Sequence, residues 1–391
     1  MRNHLSEVRL LREIPNQRLN NMAHFTTHTW CRMACISAIA LTTFSSCVKD
    51  DTDDCIPQAM PEPPKVSLFF DYTYNVKEAD AFAAEVKSLN VYVFDKNGKY
   101  VNTYTESSDK FETGHHMEIS DLKEGKYTFV CLARDQQVST QDLGDELEFE
   151  FSTLTPNLST IDELNAKMGK NSKNVTIEND KRFAALYVAQ TDVDFRGKDI
   201  ASTLSLMKCT KTYRIVLLPY ENEQEGFAVD NFDVHIVGSA AWLDHKGEKV
   251  QNKDITYLPH HKEHKTHQYG ETTIDGKPIE QALVYDLSSS RMFEGSDDQR
   301  IIITDLRDKD HPKVVFDHSL PWFLALCGEG QAKGWKAQEY LDRQDHYVLT
   351  FYVPDKRDYN LDAKINVNGW NLNLQDTDLG REETPVIPSI P

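Results

Sequence analysis

No apolar run in this 391-residue chain is long enough to cross a bilayer, which takes about 20 consecutive apolar residues. The nearest approach, Met33 to Phe44, is too short and lies close to the N-terminus behind Arg32. Positive charge is also scarce: 43 Lys and Arg stand against 62 Asp and Glu, for a formal charge of −19. Such a surface repels phosphate backbones and anionic head groups, so no nucleic-acid partner is expected. No Cys-x-x-Cys or comparable ligand spacing occurs, which leaves a structural zinc site without support. Gly-x-Ser-x-Gly elbows, phosphate-binding loops and Gly-x-Gly-x-x-Gly turns are missing too. These absences remove the commonest hydrolase and nucleotide-binding chemistries, and no cofactor is expected.

What the chain does have is the stretch CRMACISAIALTTFSSCVKDDTDDC at residues 31–55. Its apolar segment closes on Ser45-Ser46-Cys47, and small residues at the two positions before a cysteine suit the narrow cleft of a lipoprotein signal peptidase. Residues 1–46 therefore read as a lipoprotein signal peptide and Cys47 as the lipid attachment site. The segment ahead of Met22 is polar and carries Arg2, Arg9, Arg12 and Arg18. Initiation at Met22 rather than Met1 would give a more ordinary signal peptide. The remaining 345 residues are long enough for two domains. They are more acidic still, at −22, because the leader holds five Lys/Arg and two Asp/Glu. Solubility outside the cell accounts for most of that charge.

Of the seven cysteines, Cys31 and Cys35 leave with the signal peptide and Cys47 takes the lipid. Cys55, Cys131, Cys209 and Cys327 remain in a compartment that permits disulfides, and their spacing leaves the pairing open. Cys131 sits inside the apolar run Tyr127 to Ala133 and reads as a buried free thiol.

Residues 47–64 are acidic and then proline-rich, a composition that buries no core and reads as an extended tether. From Lys65 onward apolar residues alternate. Val66, Leu68, Phe70, Tyr72 and Tyr74 share one period-two face, and Leu89, Val91 and Val93 repeat it. Asn97-Gly98 supplies a tight hairpin turn, and Met117 to Leu122 and Tyr127 to Ala133 add strands. Ala79, Phe82, Ala83 and Val86 have helical spacing, and a short helix is expected near Thr160 to Met168. Further strands are expected at Tyr213–Leu218, Phe232–Val237, Ala282–Leu287, Arg300–Asp305, Lys313–Phe316, Tyr347–Val353 and Ile365–Leu374. Many short strands with polar loops indicate an all-β chain of antiparallel sandwiches. The expected division is 65–196 for the first sandwich, 197–380 for the second and 381–391 for a tail.

These residues resemble a known family. A lipobox followed by CVKDDTDDC, FDYTYN, VYVFDKNGKYV and LKEGKYTFV is similar to the N-terminal half of the Bacteroidetes type V fimbrial anchor subunits, lipoproteins of the FimB or minor-fimbrium anchoring type. Glu339 to Gln344, Tyr347 to Phe351 and Ile365 to Trp370 continue the likeness. The resemblance implies two transthyretin-like β-sandwich domains and a non-enzymatic protein at the fimbrial base. Such a protein holds the shaft on the outer membrane through its lipid, takes part in assembly and limits shaft length. Lys49, Asp50 and Asp51 match the acidic signal that sends lipoproteins of this phylum to the cell surface. The implied partners are shaft and accessory subunits, joined by strand donation, in which main-chain hydrogen bonds supply affinity. In shaft subunits of this class an arginine-specific protease removes the first strand. Here the first arginine after Cys47 is Arg134, which favours a retained anchor. The tail after Leu379 holds three prolines, which cannot donate ladder hydrogen bonds, so it is a poor donor strand.

One cluster invites a metal reading: His260, His261, His264 and His267, with Glu263 completing an H-x-x-E-H pattern. That motif needs an amphipathic helix to aim both imidazoles inward. This segment follows Pro259 and is charged on every side, so a plain polar loop is expected. Trp242, Trp322, Trp335 and Trp370 could stack on sugars, which keeps a surface adhesin or glycan-binding lipoprotein as the alternative, although core packing is the commoner role of tryptophan in a sandwich.

If Cys47 carries the lipid, Cys47→Ala abolishes acyl labelling and leaves a soluble or uncleaved protein; unchanged labelling and membrane fractionation would refute the assignment. Alanine at Lys49, Asp50 and Asp51 should preserve the lipid but reduce cleavage by external protease.

Overall fold

The structure, a computed structural model, describes residues 62–136, 146–147, 149–168, 177–179, 182–266, 271, 276–326, 328–354, 363–367 and 370–374. The signal peptide, Cys47, Lys49, Asp50, Asp51, Cys55, His267, Cys327 and the 381–391 tail lie outside the described residues.

The first strands follow the alternation of apolar residues. In chain order they are β1 (Val66–Asp71), the one-turn helix α1 (Phe82–Glu85), β2 (Ser88–Asp95), β3 (Tyr100–Ser107), β4 (His116–Ile119) and β5 (Gly125–Arg134). Five short strands come next: β6 (Glu146–Leu147), β7 (Phe149–Phe151), β8 (Asn165–Met168), β9 (Ile177–Asn179) and β10 (Arg182–Phe183). The long β11 (Leu186–Phe195), β12 (Ile200–Ser205) and β13 (Met207–Lys208) then return to the first half. A three-stranded sheet, β12-β1-β4, faces a five-stranded one, β13-β11-β5-β2-β3. Between them Val66, Leu68 and Phe70 pack with Leu89, Val91, Val93, Phe129, Cys131 and Tyr187. Cys131 is a buried free thiol, as expected, and so is Cys209.

The hairpin at Asn97-Gly98 forms with a different turn from the two-residue one that this dipeptide suits. Asp95 and Lys99 close a three-residue loop through the Asp95 N–H to the Lys99 carbonyl, at 2.8 Å. Gly98 alone there takes a positive φ, at 70°. This is the type I turn with a glycine bulge, and it stops on Gly98 because a side chain at that φ clashes with its own backbone.

The second half contains β14 (Thr210–Pro219), β15 (Phe232–Asp244), β16 (Lys249–Tyr257), β17 (His261–Lys265), β18 (Ala282–Ser290), β19 (Arg300–Asp305) and β20 (Lys313–Ser319). Helices α2 (Leu320–Ala325), α3 (Gly328–Lys333) and α4 (Ala337–Arg343) precede β21 (His346–Val353), β22 (Ala363–Val367) and β23 (Trp370–Leu374). One sheet runs β17-β18-β14-β21-β22-β23 and the other β20-β19-β15-β16-β9. Most pairings are antiparallel, but β1 with β12, β14 with β21, β16 with β9 and β10 with β6 are parallel. Ile365 to Leu374, expected as one strand, is a hairpin of two, β22 and β23.

The region 135–182 differs most from expectation. Among its described residues only Ile161–Glu163 is helical, as a single 3₁₀ turn, and Asn165–Met168 is a strand. Leu164, Ala166 and Met168 are all buried; they repeat every second residue, which a helix cannot place on one face. β8 pairs with β7 and with β15 of the second half. This excursion covers the back of the five-stranded sheet, where Tyr92, Phe94, Val130, Leu132, Leu186 and Val188 join the second core. Strands β2, β5 and β11 are therefore apolar on both faces. The division expected at 196/197 precedes β12 and β13, which pair with β1 and β11.

Because one sheet serves both cores, Phe129→Ala on one face and Leu132→Ala on the other should each lower the same unfolding transition, by about 2–5 kcal/mol. Calorimetry checks this: two separate transitions, each sensitive to one substitution, would contradict a shared sheet.

Candidate functional site

β1 occupies the centre of its sheet. It pairs parallel with β12 over six residues, from Val66 against Ile200 to Asp71 against Ser205. On its other side it pairs antiparallel with β4, from Val66 against Ile119 to Phe69 against His116. Val66 and Leu68 are fully buried, as Phe70 and Tyr72 nearly are. Each large apolar side chain taken from water contributes about 1.5–3 kcal/mol, more than any one of the main-chain bonds, each worth about 1 kcal/mol net. β1 thus fills a groove that would be an apolar trough without it. It is also the first strand among the described residues, and Lys65 directly precedes it. Nothing in the local sequence marks Lys65, Glu118 and Asp199 as neighbours, because their meeting depends on the β4-β1-β12 order.

A second constellation joins the two sandwiches. Lys208 on β13 donates to Glu85 Oε2 on α1 at 2.9 Å and to Asp345 Oδ2, ahead of β21, at 2.7 Å. Tyr187 donates to the same Glu85 oxygen. Burial works against the charges here, but Asp345 and Glu85 hold the Lys208 ammonium above its ordinary value, and Lys208 holds the Asp345 carboxyl below its own. Nearby, Arg291 makes a two-pronged pair with Asp342, at 2.7 and 2.8 Å, and also donates to the Gly247 carbonyl. Lys211 is wholly buried and gives its ammonium protons to the carbonyls of Asp342 and Gln344 at 2.9 and 2.8 Å. These carbonyls lie at the C-terminal end of α4, where backbone acceptors lack helical partners. The Val76 N–H donates to the Arg343 carbonyl, and the Arg343 guanidinium lies 4.3 Å from the Tyr74 ring centroid. Such an arrangement can fix the angle between the sandwiches; the groups are saturated by one another.

The histidine segment is an edge strand rather than a loop. His261 to Lys265 form β17 against β18, in which alternate side chains point to opposite faces. His260 and His264 therefore share a side with neither His261 nor Glu263. His264 meets Gln281 at 3.1 Å, and His261 lies 3.6 Å from Glu263. Among the described residues no cluster of three metal-ligating side chains occurs. Trp242, Trp322 and Trp335 pack against the second core; the Trp370 side chain lies outside the described residues. An exposed aromatic pair does exist elsewhere: Phe69 stacks on His116 with ring centroids 5.0 Å apart, on the outer face of the three-stranded sheet. A shallow cleft of about 320 Å³ is lined by Val188, Ala189, Gln190, Ser205, His245 and Lys246, a set without a carboxylate to work as acid or base with the imidazole.

Comparison with known proteins identifies relatives of this arrangement. A family profile described as fimbrillin-A associated anchor proteins Mfa1 and Mfa2 matches residues 53–376. A crystal structure of a candidate polysaccharide-binding protein from Bacteroides thetaiotaomicron shares 26% identity at a TM-score of 0.62, covering 81% of this chain and 99% of the other. A candidate adhesin from the same organism superposes at 0.65 with 20% identity, covering 81% and 99%. The fimbrial anchor protein Mfa2 from Porphyromonas gingivalis superposes at 0.55 with 15% identity, covering 80% and 99%. Curated protein sequences yield no match.

The buried junction has a measurable pH signature. Burial pushes Lys211 from 10.5 down to about 8, so its proton is held less well in the folded than in the unfolded chain. The resulting penalty, of the order of 3 kcal/mol, is complete below about pH 8 and is relieved as pH rises toward about 10.5. The stability of the wild type should therefore gain on that of Lys211→Met across this window in matched denaturant titrations. A stability difference independent of pH would show that the ammonium is not desolvated.

Proposed function

Because the chain belongs to the family of fimbrillin-A associated anchor proteins, we propose that it is a surface lipoprotein that anchors a fimbrium to the outer membrane. Lipid on Cys47 holds the protein in the membrane, Lys49, Asp50 and Asp51 direct it to the cell surface, and residues 47–64 span the gap to the fold. The sandwiches engage shaft or accessory subunits through strand donation, and the protein takes part in assembly and in limiting fimbrial length.

The observation that carries this reading is the placement of β1. A subunit that polymerises by strand exchange must lose its first strand to open a groove, and main-chain pairing with an incoming strand then supplies affinity. Here that position is filled by the chain's own Val66, Leu68 and Phe70, directly after the tether, and no arginine stands between Cys47 and Arg134. Retaining β1 keeps the fold covalently joined to the lipid. Among the described residues β17 and β20 each end a sheet, and these edges would serve partners.

A second reading has its own observation. The exposed Phe69–His116 pair is an aromatic platform of the kind that stacks on sugar rings, and it supports a glycan-binding adhesin with the same fold.

Deletion of the gene separates the two. An anchor is needed for attachment but not for pairing among shaft subunits, so the deletion strain should shed fimbriae into the medium, often longer than normal. Cell-bound fimbriae of ordinary number and length would defeat the anchoring reading. Loss of glycan adhesion, restored by the wild type but not by Phe69→Ala, would favour the second.

A further inference from the structure

Lys65, where the tether segment meets the fold, is held from three directions. Its N–H donates to Asp199 Oδ1 at 3.0 Å, its carbonyl accepts from the Ile200 N–H at 3.0 Å, and its ammonium pairs with Glu118 Oε1 at 2.7 Å. Beyond it the β1–β12 register is unbroken. The far end is closed by the Leu206 N–H, which donates to the Asp71 carbonyl at 2.8 Å.

In a parallel pair both N-termini lie at the same end. A pull on the N-terminus of β1 and a pull on the C-terminus of β12 therefore act at opposite ends of the ladder, along the strands. All its rungs resist together. A pull applied to the two N-termini would open the same bonds one after another. β12 leads at its C-terminus through Met207-Lys208 into β14, a central strand of the second sandwich. Sliding is also opposed by the side chains: a one-residue slip of β1 would turn Val66, Leu68 and Phe70 to the solvent face and Ser67 and Phe69 into the core.

We propose that the β1–β12 pair is a mechanical clamp, loaded in shear, that carries tension between the N-terminal tether and the second sandwich. The inference rests on the anchoring reading, which supplies the tension. The parallel pairing then has a function that an antiparallel β12 could not perform, because its C-terminus would lie beside the N-terminus of β1 and the load would unzip the pair.

Single-molecule force spectroscopy on the chain from residue 47 to the C-terminus tests this in two geometries. Held at residue 47 and the C-terminus, the protein should release β1 only at a force severalfold higher than when held at residue 47 and a clickable residue at position 198, which precedes β12. Equal release forces would overturn the clamp. A second measurement identifies the ladder that breaks. Ser67 and Ala201 are partners across the two strands, and in the oxidised Ser67→Cys/Ala201→Cys variant the release event should vanish and return on reduction. Its persistence at the same force in the oxidised protein would assign the resistance to another part of the fold. Failure of the clamp would leave fimbrial shedding in the deletion strain unaffected, and failure of the anchoring reading would leave the force ratio unaffected.

Discussion

The rest of the structure depends on one sheet buried on both faces. Strands β2, β5 and β11 send Leu89, Val91, Val93, Phe129, Cys131, Ala133, Tyr187 and Ala189 into the first core and Tyr92, Phe94, Val130, Leu132, Leu186 and Val188 into the second. An antiparallel sheet of an isolated sandwich usually shows water one of its faces. Here the second face packs into the second core together with the 149–168 excursion, whose β8 is at the same time a neighbour of β15. The first sandwich cannot shed its partner without exposing that face, which is the reason both halves fall within one compact unit, Pro61–Pro391.

Charge refines what burial establishes. The apolar sheet holds the sandwiches together but leaves their angle soft, because apolar contact is non-directional. Lys208 between Glu85 and Asp345, and Arg291 forked onto Asp342, impose direction. Buried ion pairs contribute weakly to net stability because both charges lose water, and their clearest use is to specify one arrangement. In the proposed anchoring role, a fixed angle would keep the body rigid and a retained β1 would keep it attached.

The organisation legible in the sequence was the part written in local periodicity. Val66, Leu68 and Phe70, the hairpin at Asn97-Gly98, and the strands at Arg300–Asp305 and Tyr347–Val353 each lie within a few residues whose side-chain pattern is their own evidence. The apolar run Tyr127 to Ala133 even carried the sign of a doubly buried strand, since it does not alternate. The Thr160–Met168 segment misled because its short apolar spacing suits a helix or a strand, and the choice fell to the neighbouring β7 and to β15, far away in the chain. The histidine segment, expected as a plain polar loop, is instead β17, where successive side chains diverge.

By itself the sequence determined the class of the fold. The Ser45-Ser46-Cys47 junction and the acidic run after it are the sequence features on which the proposed lipidation and sorting rest. Period-two alternation likewise required sheets. Only the tertiary structure decided which strands became neighbours: that β12 would run parallel to β1, that Lys65 would find Asp199 and Glu118, and that Lys208, Lys211, Arg291, Asp342 and Asp345 would gather at one junction. Those meetings join residues tens to hundreds of positions apart, and strand alternation says which way a side chain faces but not which strand will lie beside it.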